Sequence, residues 1–252
     1  MKEFARTEQL IGREGLEVLQ KSRVAVFGLG AVGSFAAEAL TRMGVGHMRI
    51  IDFDTVNITN INRQLYALHS TIDEKKTAVA ARRIHDINPS IRLDVRDAFV
   101  NEESLAHLLD KELDVVVDAI DGLNSKVNLI CGAKERGIAV VSSMGAAGRT
   151  DPSMIRTGDI SETSVCPLAR FVRRRLRRRG VDQGVRCVFS EEKPRNKTEY
   201  DPTDAEEADH GRSRPPIGTV SYIPGIFGLA AAGLVTDVLL KEPTNPFGHN
   251  EA

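Results

Sequence analysis

Gly28, Gly30 and Gly33 stand at G-x-G-x-x-G spacing between a short apolar run and a helix-forming stretch. Glycines so placed permit a tight turn, close approach of a phosphate to the backbone, and close packing of helix on strand. The helix start that follows aims free N–H groups and a positive dipole end at an anion. Asp52, 19 residues after Gly33, lies where a carboxylate would take a ribose hydroxyl, and Asp54 follows it as a second candidate nucleotide ligand. The loop DFDTVNITNINRQ is dense in side chains that can hold phosphate: Asn60, Asn62, Arg63 and Gln64. Lys76 comes shortly after, on a helix. An arginine and a lysine beside a glycine turn suit a triphosphate better than a nicotinamide dinucleotide, because they neutralise concentrated charge. A glycine turn with no ligand and a solvated polar loop are the plain alternatives. Strand, turn, helix, strand and acid in register favour the nucleotide.

Two further groups of residues could do chemistry. Asp121 ends the run VVVDAID, either as the cap of a following helix or at the carboxyl end of a strand, where doubly wound sheets build their sites. Asn124 and Lys126 are secondary candidates beside it. Seven arginines then crowd residues 170–179: Arg170, Arg173, Arg174, Arg175, Arg177, Arg178 and Arg179. Leu168, Phe171, Val172 and Leu176 are interleaved at helical spacing, which predicts one packed stripe on an otherwise basic helix. Phosphate backbone is the natural counter-ligand, and its binding should fall steeply with salt. Arg170, Arg173, Arg174, Arg177 and Arg178 are the candidate RNA contacts, against a solvated or acidic-partner surface.

The elements that must position these residues alternate between strand and helix. Strands are expected over Val24–Phe27, Met48–Ile51, Ile91–Val95, Val115–Val117 and Ala139–Val141, each apolar enough to be buried in a parallel sheet. Helices are expected over Ser34–Met43, Lys75–Ile87, Glu102–Asp110 and Ser125–Arg136, with Asn88-Pro89 ending the second. On that second helix Lys75 and Lys76 point about 100° apart, so one of them faces the site. The pattern predicts an α/β fold, a doubly wound, mostly parallel sheet with a Rossmann-like core. Residues 1–150 would form the nucleotide-binding core with an N-terminal arm. Residues 151–252 would form a C-terminal, substrate-facing extension: a basic helix (165–180), a mobile loop (191–216) and an apolar segment (217–240). The segment Ile217–Thr236 is uncharged, yet glycines and Pro224 interrupt it and Asp237 follows. A core segment with an extended start and a helix from about Ile226 is expected rather than a membrane span, with weak peripheral membrane contact as a lesser option.

Composition bounds the rest. With 252 residues and 41% apolar content the chain can bury a sizeable core, and a net charge of −1 gives no global pull toward nucleic acid. Cys131, Cys166 and Cys187 are scattered, with no C-x-x-C, which argues for a reducing compartment and against a cysteine-held structural zinc. No leader is recognised before Phe4, so a cytoplasmic location is expected.

GLGAVG, DFD, NINRQ and DAIDG resemble the adenylation core of the ubiquitin-activating-enzyme-like family, which includes the molybdopterin and thiamine sulfur-carrier adenylyltransferases. That core resemblance covers roughly Arg6 to Gly148. FARTEQLIG, NINRQLYALHSTI, DAIDGLNSK, SSMGAAGRTDPSMIRTGDI, CPLARFVRRRLRRRG and GVRCVFSEEKPR extend it to about Leu240, and there it is most similar to the tRNA threonylcarbamoyladenosine dehydratases. The resemblance implies ATP and magnesium as cofactors. Arg63, Lys76 and Asp121 would be catalytic, with Asp121 holding the metal beside the α-phosphate. It also implies a homodimer in which Arg6, or alternatively Arg13, reaches the partner's nucleotide. The implied substrate is tRNA carrying threonylcarbamoyladenosine. Its threonyl carboxylate would be adenylated and then closed into a hydantoin- or oxazolone-type ring with net loss of water. A sulfur-transfer or cysteine-desulfurase protein is a further candidate partner. Cys187 matches a position where relatives carry cysteine, and a buried structural thiol is expected there. The rival within the family is adenylation of a sulfur carrier's C-terminal glycine.

Overall fold

The computed structural model describes residues 2–196 and 217–241. In chain order the elements are α1 (Ala5–Lys21), β1 (Arg23–Phe27), α2 (Gly33–Met43), β2 (His47–Asp52), α3 (Lys76–Ile87), β3 (Arg92–Asp97), α4 (Glu102–Leu108), β4 (Val115–Asp118), α5 (Leu123–Glu135), β5 (Ala139–Ser143), β6 (Ile155–Asp159), α6 (Pro167–Arg177), β7 (Arg186–Ser190) and α7 (Tyr222–Leu240). The strands form one sheet in the order β3-β2-β1-β4-β5-β7-β6, parallel throughout except for β6 against β7. The chain winds outward from β1 to β3, then returns to β4 on the other side of β1. Ligands bind at such a switch point, outside the carboxyl ends of the strands.

Successive strand side chains point to opposite faces, so each central strand feeds two cores. Val24 and Val26 pack with residues of α2, α3 and α7, whereas Ala25 and Phe27 pack with residues of α4, α5 and α6. Both faces being covered explains why the central strands read as unbroken apolar runs.

Most boundaries shift by one or two residues from the sequence reading, and a few matter more. β3 begins at Arg92 rather than Ile91 and continues to Asp97, and α4 ends at Leu108. α7 begins at Tyr222 instead of about Ile226. Pro224 is tolerated there because the first turn has no partner for its missing N–H. Two strands, β6 and β7, have no counterpart in the sequence reading: each is five residues long and only tertiary pairing identifies it. α7 is long and apolar enough to cross a membrane. Its Ile223, Phe227, Ala231 and Val235 are buried in the core shared with α2. A Cβ on Gly228 would stand 2.4 Å from the Val32 carbonyl oxygen, so the two helices meet backbone to backbone. It is a core helix. Of the expected mobile loop, residues 197–216 lie outside the described residues, as does the tail after Lys241.

Candidate active site

The glycine loop is built by mutual exclusion of side chains. Gly28 has φ +88°, and a Cβ there would be 2.8 Å from the Ala119 carbonyl oxygen at the end of β4. A Cβ on Gly33 would stand 1.8 Å from the Gly28 carbonyl oxygen. These two glycines seat the first turn of α2 on the ends of β1 and β4. Above Gly30 the nearest atom to such a Cβ is the Gln64 amide nitrogen at 3.7 Å, which leaves the backbone approachable by a ligand. No side chain caps α2, so its N-terminal dipole end is left for an anion.

Asp52 is 8% exposed and anchors this loop: its Oδ2 accepts from the Leu29 N–H at 2.6 Å and its Oδ1 from the Asp54 N–H at 2.8 Å. Burial pushes its carboxyl upward, opposed by the charge of Lys76 and by these two N–H donors. Each oxygen keeps a lone pair for a sugar hydroxyl. Lys76, 5% exposed, sends its Nζ to Asp54 Oδ2 at 2.8 Å. Lys75 points outward to Asp97 and the Phe53 carbonyl. Of the two lysines, Lys76 is therefore the one at the site, its charge balanced by an exposed carboxylate.

The loop after β2 folds back onto α2. The Leu65 N–H donates to Ser34 Oγ at 3.3 Å and the Tyr66 hydroxyl donates to the Ser34 carbonyl at 3.3 Å, which sets Gln64 over Gly30. Arg63 is half-buried and uses Nη1 on the Thr59 carbonyl and Asn62 Oδ1. Its other guanidinium nitrogens have no partner among the described residues. Asn60 has a structural task as well. Its Oδ1 accepts from the Asn57 N–H at 3.2 Å, closing a cap on the turn Ile58–Asn60, and its carbonyl accepts from the Arg63 and Gln64 N–H groups. It shapes the phosphate-facing loop.

Asp121 follows β4 at the same edge of the sheet. It is exposed, carries no hydrogen bond or ion pair among the described residues, and does not cap α5, whose N-cap is Gly122. A free carboxylate beside the glycine loop fits a magnesium ion, which takes one or two carboxylates plus phosphate oxygens and water. Lys126 turns out to be internal: fully buried, its Nζ donates to Asp118 Oδ2 at 2.7 Å and to the Ser143 carbonyl at 2.9 Å. Ser142 Oγ adds a 2.6 Å bond to the same carboxylate oxygen, and Asp118 Oδ1 accepts from the Ile120 N–H at 3.2 Å. This network holds the turn that carries Asp121. Asp118 and Ser142 are not among the sequence candidates, although the acid three residues before Asp121 and the lysine five residues after it are the signal that points to them.

Arg6 is exposed at the start of α1, close to Phe4, which packs against Gly44 past the C-terminal end of α2. That is the opposite end of α2 from the glycine loop, and Arg13 pairs with Glu17 on the helix surface. Neither arginine joins the site of its own chain in this structure.

On α6 the packed stripe is Ala169, Val172 and Leu176, with Leu168 half-buried. Phe171 faces outward, contrary to the sequence reading, because α5 meets only the i, i+3, i+7 line. Arg173, expected to contact RNA, turns inward and donates from Nη1 to both oxygens of Thr163. Arg177 pairs loosely with Asp182 at 3.7 Å, while Arg170, Arg174 and Arg178 are exposed. Cys187 is fully buried on β7 and burial pushes its thiol well up, as expected of a structural thiol. Among the described residues no cluster of three His, Cys, Asp or Glu side chains could hold a metal.

The tRNA threonylcarbamoyladenosine dehydratase of Bacillus subtilis is 42% identical over 243 residues, 95% of this chain and 95% of that protein. A crystal structure of the Escherichia coli tRNA N6-threonylcarbamoyladenosine dehydratase in complex with ATP superposes with a TM-score of 0.84 at 33% identity, covering 95% of this chain and 94% of that one. The E. coli molybdopterin-synthase adenylyltransferase is 34% identical over only 55% of this chain and 54% of its own length. The ThiF family model matches residues 4–250. Matched along nearly its whole length, the chain belongs to the ThiF family.

Proposed function

We propose that this chain is an ATP-dependent tRNA threonylcarbamoyladenosine dehydratase. The observation that carries this reading is the reach of the similarity: the Bacillus dehydratase aligns over 95% of the chain and so over most of the part beyond the core, whereas the molybdopterin adenylyltransferase aligns over 55% of it. Residues 151–252 hold α6 and the strands beyond β5, where substrate choice would reside.

ATP lies over Gly28–Gly33 with its ribose at Asp52. Arg63, Gln64 and Lys76 hold the phosphates, Lys76 exchanging Asp54 for a phosphate oxygen. The threonyl carboxylate attacks the α-phosphorus, the bond to the bridging oxygen breaks, and pyrophosphate leaves. The carbamoyl nitrogen, for a hydantoin, or the carbamoyl oxygen, for an oxazolone, then attacks the acyl carbonyl, an N–H proton is lost, and AMP departs. The product is one water lighter than the substrate, a hydantoin- or oxazolone-type ring. Magnesium held at Asp121 would neutralise charge on the phosphates. The rest is positioning and electrostatics.

AMP should form when ATP and the purified protein meet tRNA bearing the modification, with the nucleoside losing the mass of one water. Formation with neither modified nor unmodified tRNA, but with a small protein ending in Gly-Gly, would transfer the case to carrier adenylation.

We further infer a cytoplasmic homodimer in which Arg6 serves the partner's nucleotide. Its support is the placement of Arg6 away from its own site and the exposure of Leu10 on α1, at 86%. Mixing Arg6→Ala and Asp121→Ala subunits, each inactive alone, should restore about a quarter of wild-type turnover, since half the dimers then carry one intact composite site. No recovery on mixing would remove the shared-site arrangement.

A further inference from the structure

α6 and α5 run side by side in a fixed register. Arg175 donates to Asn124 Oδ1, and Arg179, just past α6, donates to Asn128 Oδ1 at 2.8 Å. Both pairs are separated by 51 residues, so the two helices are parallel with Arg175 level with the first turn of α5. Ala169, Val172 and Leu176 of α6 are buried in the same core as α5. Phe171 lies one turn before Arg175, and Asn124, which takes Arg175, stands three residues after Asp121.

There α6 presents an aromatic ring to solvent. Phe171 is 36% exposed, and the guanidinium carbons of Arg170 and Arg174 each lie 5.2 Å from its ring centroid. Arg173, Arg175 and Arg179 on the same helix and its end are tied to Thr163, Asn124 and Asn128. Arg170, Arg174 and Phe171 are left outward. An exposed phenyl ring between two guanidinium groups is a poor surface for water and a good one for a flat, electron-rich ring. Unpaired nucleobases stack on phenyl and guanidinium planes, while neighbouring phosphates take the arginine charge.

We propose that Arg170, Phe171 and Arg174 form a stacking platform for an unpaired base of the tRNA next to the modified nucleoside. The platform rests on the tRNA reading above. Its role is to hold the loop open so that the threonyl carboxylate reaches the nucleotide near Asp121. Phosphate contacts from Arg170, Arg174 and the neighbouring exposed Arg178 supply affinity and salt dependence; the ring supplies the preference for unpaired RNA.

The test is equilibrium binding of modified tRNA across a salt series, comparing wild type with Phe171→Ala, Phe171→Leu, Phe171→Trp and Arg178→Gln. A fully paired RNA duplex is the control ligand. Losing a base stack should raise Kd for tRNA roughly 5- to 100-fold in Phe171→Ala and Phe171→Leu, with Phe171→Trp close to wild type. The slope of log Kd against log salt should be unchanged in those two variants and shallower in Arg178→Gln. Duplex binding should not respond to position 171. Equal tRNA affinity in Phe171→Leu and wild type would overturn the platform, and so would an equal loss on the duplex. Absence of tRNA binding by wild type would instead overturn the functional reading on which the platform stands. Phe171 is exposed, so these variants are expected to fold, and unchanged ATP binding verifies it.

Discussion

Replacing Asp121 by alanine is expected to lower AMP formation by roughly 10²–10⁴-fold, the scale on which a single positioned charge stabilises transferring phosphate. The structure makes this a clean experiment. The carboxylate is exposed and has no partner among the described residues, so removing it should cost the fold within about 0.5 kcal/mol. ATP affinity should stay within about threefold of wild type, because in the proposed site the ribose and phosphate contacts would come from other elements. Asp121→Asn keeps the shape and removes the charge, and should be nearly as inactive. Single-turnover AMP release with modified tRNA, beside equilibrium binding of ATP, separates the two effects. Turnover above a tenth of wild type in both variants would take Asp121 out of the mechanism.

Lys126→Met should act on the fold first. The ammonium is fully buried against Asp118, Ser142 and the Ser143 carbonyl, and deleting it leaves the Asp118 carboxylate buried without a counter-charge. Removing one partner of a buried pair costs about 3–5 kcal/mol, which for a domain of this size lowers Tm by roughly 6–20 °C. Replacing both, Lys126→Met with Asp118→Leu, should recover much of that stability, since neither buried charge remains. Activity should not recover with it. Without Asp118 Oδ1 nothing in that network takes the Ile120 N–H, and the turn carrying Asp121 loses its support. Denaturant melts of the two variants, read beside AMP formation, check both halves. A loss below about 1 kcal/mol in the single variant would mean that the pair is not a structural element of the fold.

Cys187 reads from the sequence as a buried structural thiol, and it lies fully buried on β7, where burial pushes the thiol well up. At Asn60 the structure adds what residue type does not show: an amide in a loop dense in polar side chains reads as a ligand, and its oxygens close a backbone turn and so place Arg63 and Gln64.

The sequence by itself determined the winding of the core and the identity of the nucleotide end. Glycine spacing, apolar strand runs and the acid after the second strand are local signals, each spanning a few residues, and Gly28, Gly33, Asp52, Lys76 and Asp121 lie at the carboxyl edge where those signals placed them. Only the tertiary structure decided which polar side chains were free. Arg173 and Arg175 read the same as Arg170 and Arg174 along a basic helix, and their fates diverge because Thr163 takes Arg173 and Asn124 of α5 takes Arg175. Phe171 read as core for the same reason, since 3.6-residue periodicity fixes which residues share a face but not where the neighbouring helix ends. The Asp118–Lys126–Ser142 network joins the end of one strand, a helix and the next strand. Its members become partners only when parallel pairing brings β4 and β5 side by side.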